Sequence, residues 1–254
     1  LMNISVEIIN QLSDNYSYLI SSNENNSGII IDPAESDKIL DVLKKKKLNL
    51  NYIFITHHHS DHTSGVADLV RAYPEVKVFS PSELNSISVN VISDSNKITT
   101  NLNEIEVIHA PGHTLDHIIL CDQKNNLIFV GDVLFRLGCG RVFEGTLEQM
   151  HNSLTKLLNL SDNMLVYCGH EYTLNNIKFL EHIFKKNKIL ESAKKNIISD
   201  LSLNKRSIPF HLGDEKKYNP FLNQNCEMAL ELRSENNYSD FEFFRYLREE
   251  KDSF

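Results

Sequence analysis

Histidine and aspartate carry the chemistry available to this chain. The run Thr56-His57-His58-His59-Ser60-Asp61-His62 follows directly on the apolar stretch Tyr52–Ile55. A segment leaving a strand sends alternate side chains to opposite sides, so His57 and His59 can converge while His58 points away. Asp61 and His62 follow one turn later, where a helix is expected from Ser64. Three more donors stand where apolar runs end: His113 in Ala110-Pro111-Gly112-His113-Thr114, Asp132 after Phe129-Val130-Gly131, and His170 in Cys168-Gly169-His170-Glu171. A carboxylate closing so apolar a run needs a partner or a cation. Imidazole and carboxylate together suit zinc, iron or manganese without any thiolate. Seven donors exceed what one ion with an open position takes, and they suit two ions sharing a carboxylate. Asp132 is the natural bridge, leaving His57, His59 and His113 for one ion and Asp61, His62 and His170 for the other. Two ions about 3.5 Å apart can activate a shared water by lowering its pKa towards neutrality. The expected cofactors are two divalent metal ions, zinc first, with iron or manganese as alternatives.

Donors so far apart in sequence must be brought together by a scaffold. Short β-branched runs bounded by Asn, Asp, Gly, Pro or Ser predict strands at Ile4–Ile9, Tyr16–Ile20, Gly28–Asp32, Tyr52–Thr56, Val76–Phe79, Glu104–His109, His117–Asp122, Leu127–Val130 and Leu165–Cys168. Helical periodicity falls at Ser36–Lys47, Ser64–Ala72 and Thr146–Leu160, with Thr146 placed as an N-cap. After about Tyr172 the strand signals cease, and helices are predicted at Leu174–Lys185, Ile189–Leu203, Cys226–Glu235 and Asp240–Glu250. The division read from this shift is an α/β body over residues 1–172 and a helical domain over 173–254.

Composition excludes several functions. Among 254 residues, 26 Lys+Arg against 34 Asp+Glu give a net charge of −8, opposite to the basic footprint of a nucleic-acid binder. No apolar run approaches the roughly 20 residues of a spanning helix, so no membrane association is expected. The N-terminal stretch to Asn15 lacks a basic segment followed by an apolar one, which argues against a secretory signal. The four cysteines, Cys121, Cys139, Cys168 and Cys226, form no C-x-x-C pair and read as reduced thiols of a cytoplasmic protein.

The pattern Thr-His-x-His-x-Asp-His at 56–62, with His113, Asp132 and His170 downstream, resembles the metallo-β-lactamase superfamily. Further segments resemble its glyoxalase II (hydroxyacylglutathione hydrolase) family: Asp14-Asn15-Tyr16, Ile31-Asp32-Pro33, Gly138-Cys139-Gly140-Arg141-x-Phe143-Glu144-Gly145-Thr146, Gly169-His170-Glu171-Tyr172, Tyr218-Asn219-Pro220-Phe221, and the tail Arg248-x-x-Lys251-Asp252-x-Phe254. The resemblance implies an α/β fold, an αββα metallo-β-lactamase sandwich, with the C-terminal helical domain binding substrate. It implies an enzyme that hydrolyses the thioester S-D-lactoylglutathione to glutathione and D-lactate, the second step of methylglyoxal detoxification, through a metal-bridging hydroxide. Asp132 and Asp61 are then the catalytic carboxylates, the latter also orienting the hydroxide. Asp32 and His117 would hold the ligand imidazoles in the right tautomer. Arg141, Phe143, Tyr172, Arg248 and Lys251 would contact the glutathione thioester. The only partner expected is this small molecule, and the chain is expected to act as a monomer.

Two positions depart from the family pattern. Phe143 stands where some members carry a tyrosine, and Asp116 replaces the usual glycine of His-Thr-x-Gly-His. His58, His109, His151, His182 and His211 receive no role. Within the superfamily the main rival is a mononuclear-iron dioxygenase acting on glutathione persulfide, which uses fewer donors. Asp61, His62 and His170 favour two ions over one.

Overall fold

A computed structural model describes residues 4–22 and 24–254. The first residues of the stretch read for a secretory signal therefore lie outside the described residues. The chain forms two compact units, one of Leu1–His109 with Asp116–Asn125, the other of Ala110–Leu115 with Asn126–Phe254.

The first unit is built on a six-stranded sheet in the order β1-β2-β3-β4-β5-β6. Its strands are β1 (Ile4–Gln11), β2 (Asn15–Ser22), β3 (Ser27–Ile31), β4 (Asn49–Phe54), β5 (Lys77–Ser80) and β6 (Asn90–Val91). Strands β1, β2 and β3 are antiparallel, and β3 to β6 run parallel. Helices α1 (Asp37–Lys46), α2 (Ser60–Thr63) and α3 (Val66–Ala72) lie in the connections. Central parallel strands need apolar residues on both faces, and Ile29, Ile30, Ile31, Ile53 and Phe54 are all fully buried. Ile39 and Leu43 of α1 join Val66 and Leu69 of α3 in one core with Leu19, Ile30, Ile53 and Ile55. A second set of strands, β7 (Lys97–Thr99), β8 (Glu104–His109) and β9 (Ile118–Asp122), forms an antiparallel meander.

In the second unit β10 (Leu127–Gly131) pairs parallel with β13 (Leu165–Cys168), which pairs antiparallel with β14 (Phe210–His211). Between β10 and β13 come a two-strand hairpin, β11 (Leu134–Phe135) and β12 (Gly138–Cys139), and helix α4 (Leu147–Leu158). Thr146 caps α4 in a full capping box with Gln149, as its position predicts. The helices α5 (Thr173–Ile183), α6 (Lys188–Asn204), α7 (Leu212–Tyr218), α8 (Glu227–Glu235) and α9 (Asp240–Ser253) complete the unit. They bury Phe179, Phe221, Phe243, Phe244 and Leu247. Among the described residues no helix is long and apolar enough to cross a membrane.

The predicted strands and predicted helices are all present. Strands β6, β7, β11, β12 and β14 and helices α2 and α7 were not predicted. Most are too short to show a period, and α7 carries Gly213 and four charged residues in seven.

Candidate metal centre

In the first unit the donors follow β4. Parallel register sets Ile31 against Phe54, so Asp32, one residue beyond β3, meets Thr56, two residues beyond β4. Asp32 sits in the left-handed region at φ 51°, a conformation aspartate tolerates better than most residues. Its Oδ1 accepts from the Thr56 amide at 2.8 Å and its Oδ2 from the Thr56 hydroxyl at 2.7 Å. The same Oδ2 accepts from His62 Nδ1 at 3.0 Å. The hydroxyl proton of Thr56 being committed to Asp32, its oxygen accepts from His57 Nδ1 at 3.0 Å. One buried carboxylate thus fixes two tautomers, that of His62 directly and that of His57 through Thr56, and leaves a lone pair on each Nε2. His57 Nε2 lies 3.2 Å from His59 Nδ1, and His62 Nε2 lies 3.7 Å from Asp61 Oδ2.

Neighbouring groups hold these donors in place. Asn15 Nδ2 donates to Asp61 Oδ2 at 3.0 Å and to its carbonyl at 3.2 Å. His117 is fully buried and stacks on the His57 ring at 4.7 Å, drawn there by the Ile118 amide donating to the Thr56 carbonyl. His58 turns away to Asp116, 2.9 Å from Nδ1, and the other Asp116 oxygen accepts from Ser82 at 2.7 Å. The aspartate that departs from the family glycine is therefore a tie between two loops of this unit.

In the second unit the parallel pairing of β10 and β13 sets Gly131 against Cys168, and the Gly169 amide donates to the Gly131 carbonyl at 2.8 Å. Asp132 and His170 leave these strand ends side by side, both buried. Asp132 Oδ2 lies 3.3 Å from His170 Nε2 and 3.3 Å from His113 Nε2. His113 Nδ1 donates to the Arg141 carbonyl at 2.8 Å, so in the neutral ring Nε2 carries the lone pair. An unprotonated nitrogen facing a carboxylate oxygen at that distance is repulsive unless a cation lies against both. The donor set thus fits a divalent metal, and the protein presents a His/Asp cluster able to hold metal ions.

The residues expected to contact substrate all lie in this second unit. Phe143 is 61% exposed, its ring edge-on to His113 at 5.3 Å and under the Arg141 guanidinium at 5.6 Å. Tyr172 stacks on His170 at 4.7 Å and 7°. Arg141 is largely exposed, with Asp252 3.6 Å from its Nε. Lys251 Nζ donates to Asn176 Oδ1 at 2.6 Å above the Phe179 ring. Burial, with Arg248 nearby, pulls its pKa down to about 8. Arg248 differs from the others. It is 3% exposed and turned into the protein, where Nη1 donates to the Cys139 carbonyl at 3.0 Å and Nη2 to Asp252 at 2.9 Å.

All four cysteines are buried thiols. Burial pushes Cys121 up to about 12 and Cys226 to about 11, and raises Cys139 and Cys168, so none offers a thiolate near neutral pH. Of the unassigned histidines, His151 is tied to Gln224 at 3.2 Å and His182 packs on Phe254.

Asp32 offers a direct test of how the imidazoles are held. Asp32→Asn removes the anionic acceptor of His62 and disturbs the Thr56 relay to His57. Zinc affinity, measured by chelator competition, should fall about 10–100-fold, the range typical for partners of ligand histidines. Unchanged affinity would mean the carboxylate does not orient them.

The sheets, the strand-end donors and the helical C-terminal region define a metallo-β-lactamase-superfamily protein, and the family model described as Metallo-beta-lactamase superfamily matches residues 12–170. The model described as Hydroxyacylglutathione hydrolase C-terminus matches residues 171–254. The chain belongs to the hydroxyacylglutathione hydrolase family within that superfamily. It is 38% identical to the hydroxyacylglutathione hydrolase of Pseudoalteromonas translucida (strain TAC 125), over 99% of this chain and 100% of that protein. To the hydroxyacylglutathione hydrolase of Pectobacterium carotovorum subsp. carotovorum (strain PC1) it is 36% identical, over 96% of this chain and 97% of that one. The crystal structure of ETHE1 from Myxococcus xanthus shares the fold, with a TM-score of 0.64 at 22% identity over 98% of this chain and 100% of that chain.

Proposed function

We propose that the chain is a metal-dependent thioester hydrolase that converts S-D-lactoylglutathione and related 2-hydroxyacyl thioesters to glutathione and the hydroxy acid. The observation that carries this reading is Asp132 Oδ2, 3.3 Å from Nε2 of both His113 and His170. His57, His59 and His113 would hold one divalent ion, and Asp61, His62 and His170 a second, with Asp132 a ligand to both. Zinc is the first choice by donor chemistry, iron or manganese the alternatives. Such ions supply Lewis acidity and water ionised near neutral pH.

The rest of the reaction falls to the chain. Asp32 and Thr56 keep the imidazoles unprotonated on the nitrogens that face the centre. Asn15 holds Asp61 in place, and Asp61 orients the attacking water towards the thioester carbonyl. A thiolate leaves readily, so no dedicated acid is required to protonate it. Arg141 and Lys251 supply positive charge for the carboxylates of glutathione, and Phe143 and Tyr172 supply apolar surface beside His113 and His170. Arg248 enters this set through the loop its guanidinium holds. Residues 173–254 then form the substrate-binding domain of a cytoplasmic, monomeric enzyme, a setting that suits four reduced, buried cysteines. Hydrolysis of S-D-lactoylglutathione, assayed beside thioesters of other thiols, tests the assignment. Equal rates on all carriers would remove glutathione from it.

Lys251 gives the substrate reading a pH signature. An ammonium with a pKa of about 8 is charged below that pH and neutral above it, so its attraction for a carboxylate is lost as pH rises. The ratio kcat/KM, which reports groups of the free enzyme, should decline above about pH 8. Lys251→Arg should flatten this alkaline limb. Lys251→Ala should raise KM about tenfold or more at pH 7 with kcat nearly level, as expected for a charge-assisted contact remote from the bond broken. An unaltered KM would remove Lys251 from the binding site.

A further inference from the structure

The segment between Asp132 and Arg141 does not hold itself. Its hairpin pairs only Leu134 with Cys139 and Phe135 with Gly138, too little to be stable alone. Side chains from three helices grip it instead, through the main chain of every residue from Phe135 to Gly140. Asn219, buried just after α7, donates from Nδ2 to the Phe135 carbonyl at 3.3 Å and the Gly138 carbonyl at 3.0 Å. Glu215 accepts from the Leu137 amide at 2.8 Å and from Asn219 at 2.9 Å. Asn176 of α5 donates to the Arg136 carbonyl at 3.0 Å. Arg248 of α9 donates to the carbonyls of Cys139 at 3.0 Å and Gly140 at 3.5 Å.

Both ends of this gripped segment meet a proposed metal ligand. At the first, the Gly140 amide donates to the Val133 carbonyl at 3.1 Å, and Gly140 packs so tightly that an added Cβ would lie 1.8 Å from the Asp132 carbonyl oxygen. At the second, the Arg141 carbonyl, next along the chain from the two that Arg248 holds, accepts from His113 Nδ1 at 2.8 Å. A shift of the hairpin therefore moves the Asp132 backbone and the acceptor that sets the His113 tautomer and ring angle together.

We infer that the C-terminal helices set the geometry of the metal centre through this hairpin, with Asn219 and Arg248 as positioning residues for Asp132 and His113. The inference rests on the metal centre proposed above, and it gives the helical region a task besides binding substrate. Arg248 is suited to it: Asp252 offsets its charge, the ring of Phe221 lies 5.6 Å from the guanidinium, and its fork spans two carbonyls and a carboxylate at once. A lysine ammonium cannot reproduce that fork.

The test uses the full chain carrying Arg248→Lys or Asn219→Ala, each checked for folding by near-ultraviolet circular dichroism. Zinc affinity is measured by chelator competition, the absorption spectrum is taken on cobalt-loaded protein, and kcat and KM are measured at saturating metal. Both variants should lose about 10–100-fold in zinc affinity and shift the cobalt spectrum. Their kcat should fall while KM stays within about twofold, the pattern of a lost transition-state contribution. A raised KM with unchanged zinc affinity and cobalt spectrum would overturn the inference and make Arg248 a direct substrate group. A lowered melting temperature with all three readouts unchanged would overturn it as well. Should Asn219→Ala not fold, Arg248→Lys decides alone. Affinity and spectrum need no turnover, so a wild-type protein that binds metal but leaves the thioester intact would refute the proposed reaction without touching this result.

Discussion

Asp132→Asn is expected to abolish hydrolysis and to reduce bound metal from two equivalents to one or none. The substitution is nearly isosteric, so the consequences come from charge. Asp132 Oδ2 lies 3.3 Å from Nε2 of both His113 and His170, and the amide offers either a neutral oxygen or an N–H pair there. Neither can serve two ions. Loss of kcat should exceed the roughly 10–100-fold typical of residues one step behind a ligand. Metal-free protein should respond in the opposite sense. A buried carboxylate without its cation is costly, so the metal-free variant should melt at or above the temperature of metal-free wild type. Metal analysis and thermal melts on both forms check this, and a variant retaining two tight metals would take the bridging role from Asp132.

Gly140→Ala is expected to be nearly as severe although it adds one methyl group. An ideal Cβ there would stand 1.8 Å from the Asp132 carbonyl oxygen and 3.0 Å from its carbon. These are main-chain atoms that no rotamer change can remove, so Asp132 or the hairpin must move by an ångström or more. A displacement of that size near reacting groups costs about a hundredfold in rate, and the strain should also lower the melting temperature. Gly28→Ala is the control. Its Cβ would meet the ends of Leu19 and Leu43 at 3.2 and 3.3 Å, flexible side chains that can give way. Comparable kinetics in the two variants would show that the close approach at Gly140 is not tied to the site.

The candidate metal donors were legible in the sequence because they follow closely on apolar runs. A sheet that buries Ile53 and Phe54, or Phe129 and Val130, delivers the next polar residues to its edge. Asp32 was legible only through the resemblance, as a holder of imidazoles. In the structure its left-handed backbone lets one carboxylate reach Thr56 and His62. What sequence reasoning missed are the long-range ties. Asn15 is 46 residues from Asp61, and no local pattern marks an asparagine at the start of a strand as the partner of an aspartate so distant. Asn219 and Glu215 lie about 80 residues from the hairpin they grip, just after and within a helix too short and too charged to show a period. Arg248 was expected at the substrate from the resemblance, yet carbonyls 108 and 109 residues away draw its guanidinium inside. Asp252, four residues on, was the available hint, as the spacing of a helical ion pair.

The most direct test of the account is to titrate metal-free protein with zinc while following S-D-lactoylglutathione hydrolysis. The account predicts no turnover without metal and a rate that rises to a plateau at two equivalents per chain. A plateau at one equivalent, or intact thioester at every loading, would contradict it.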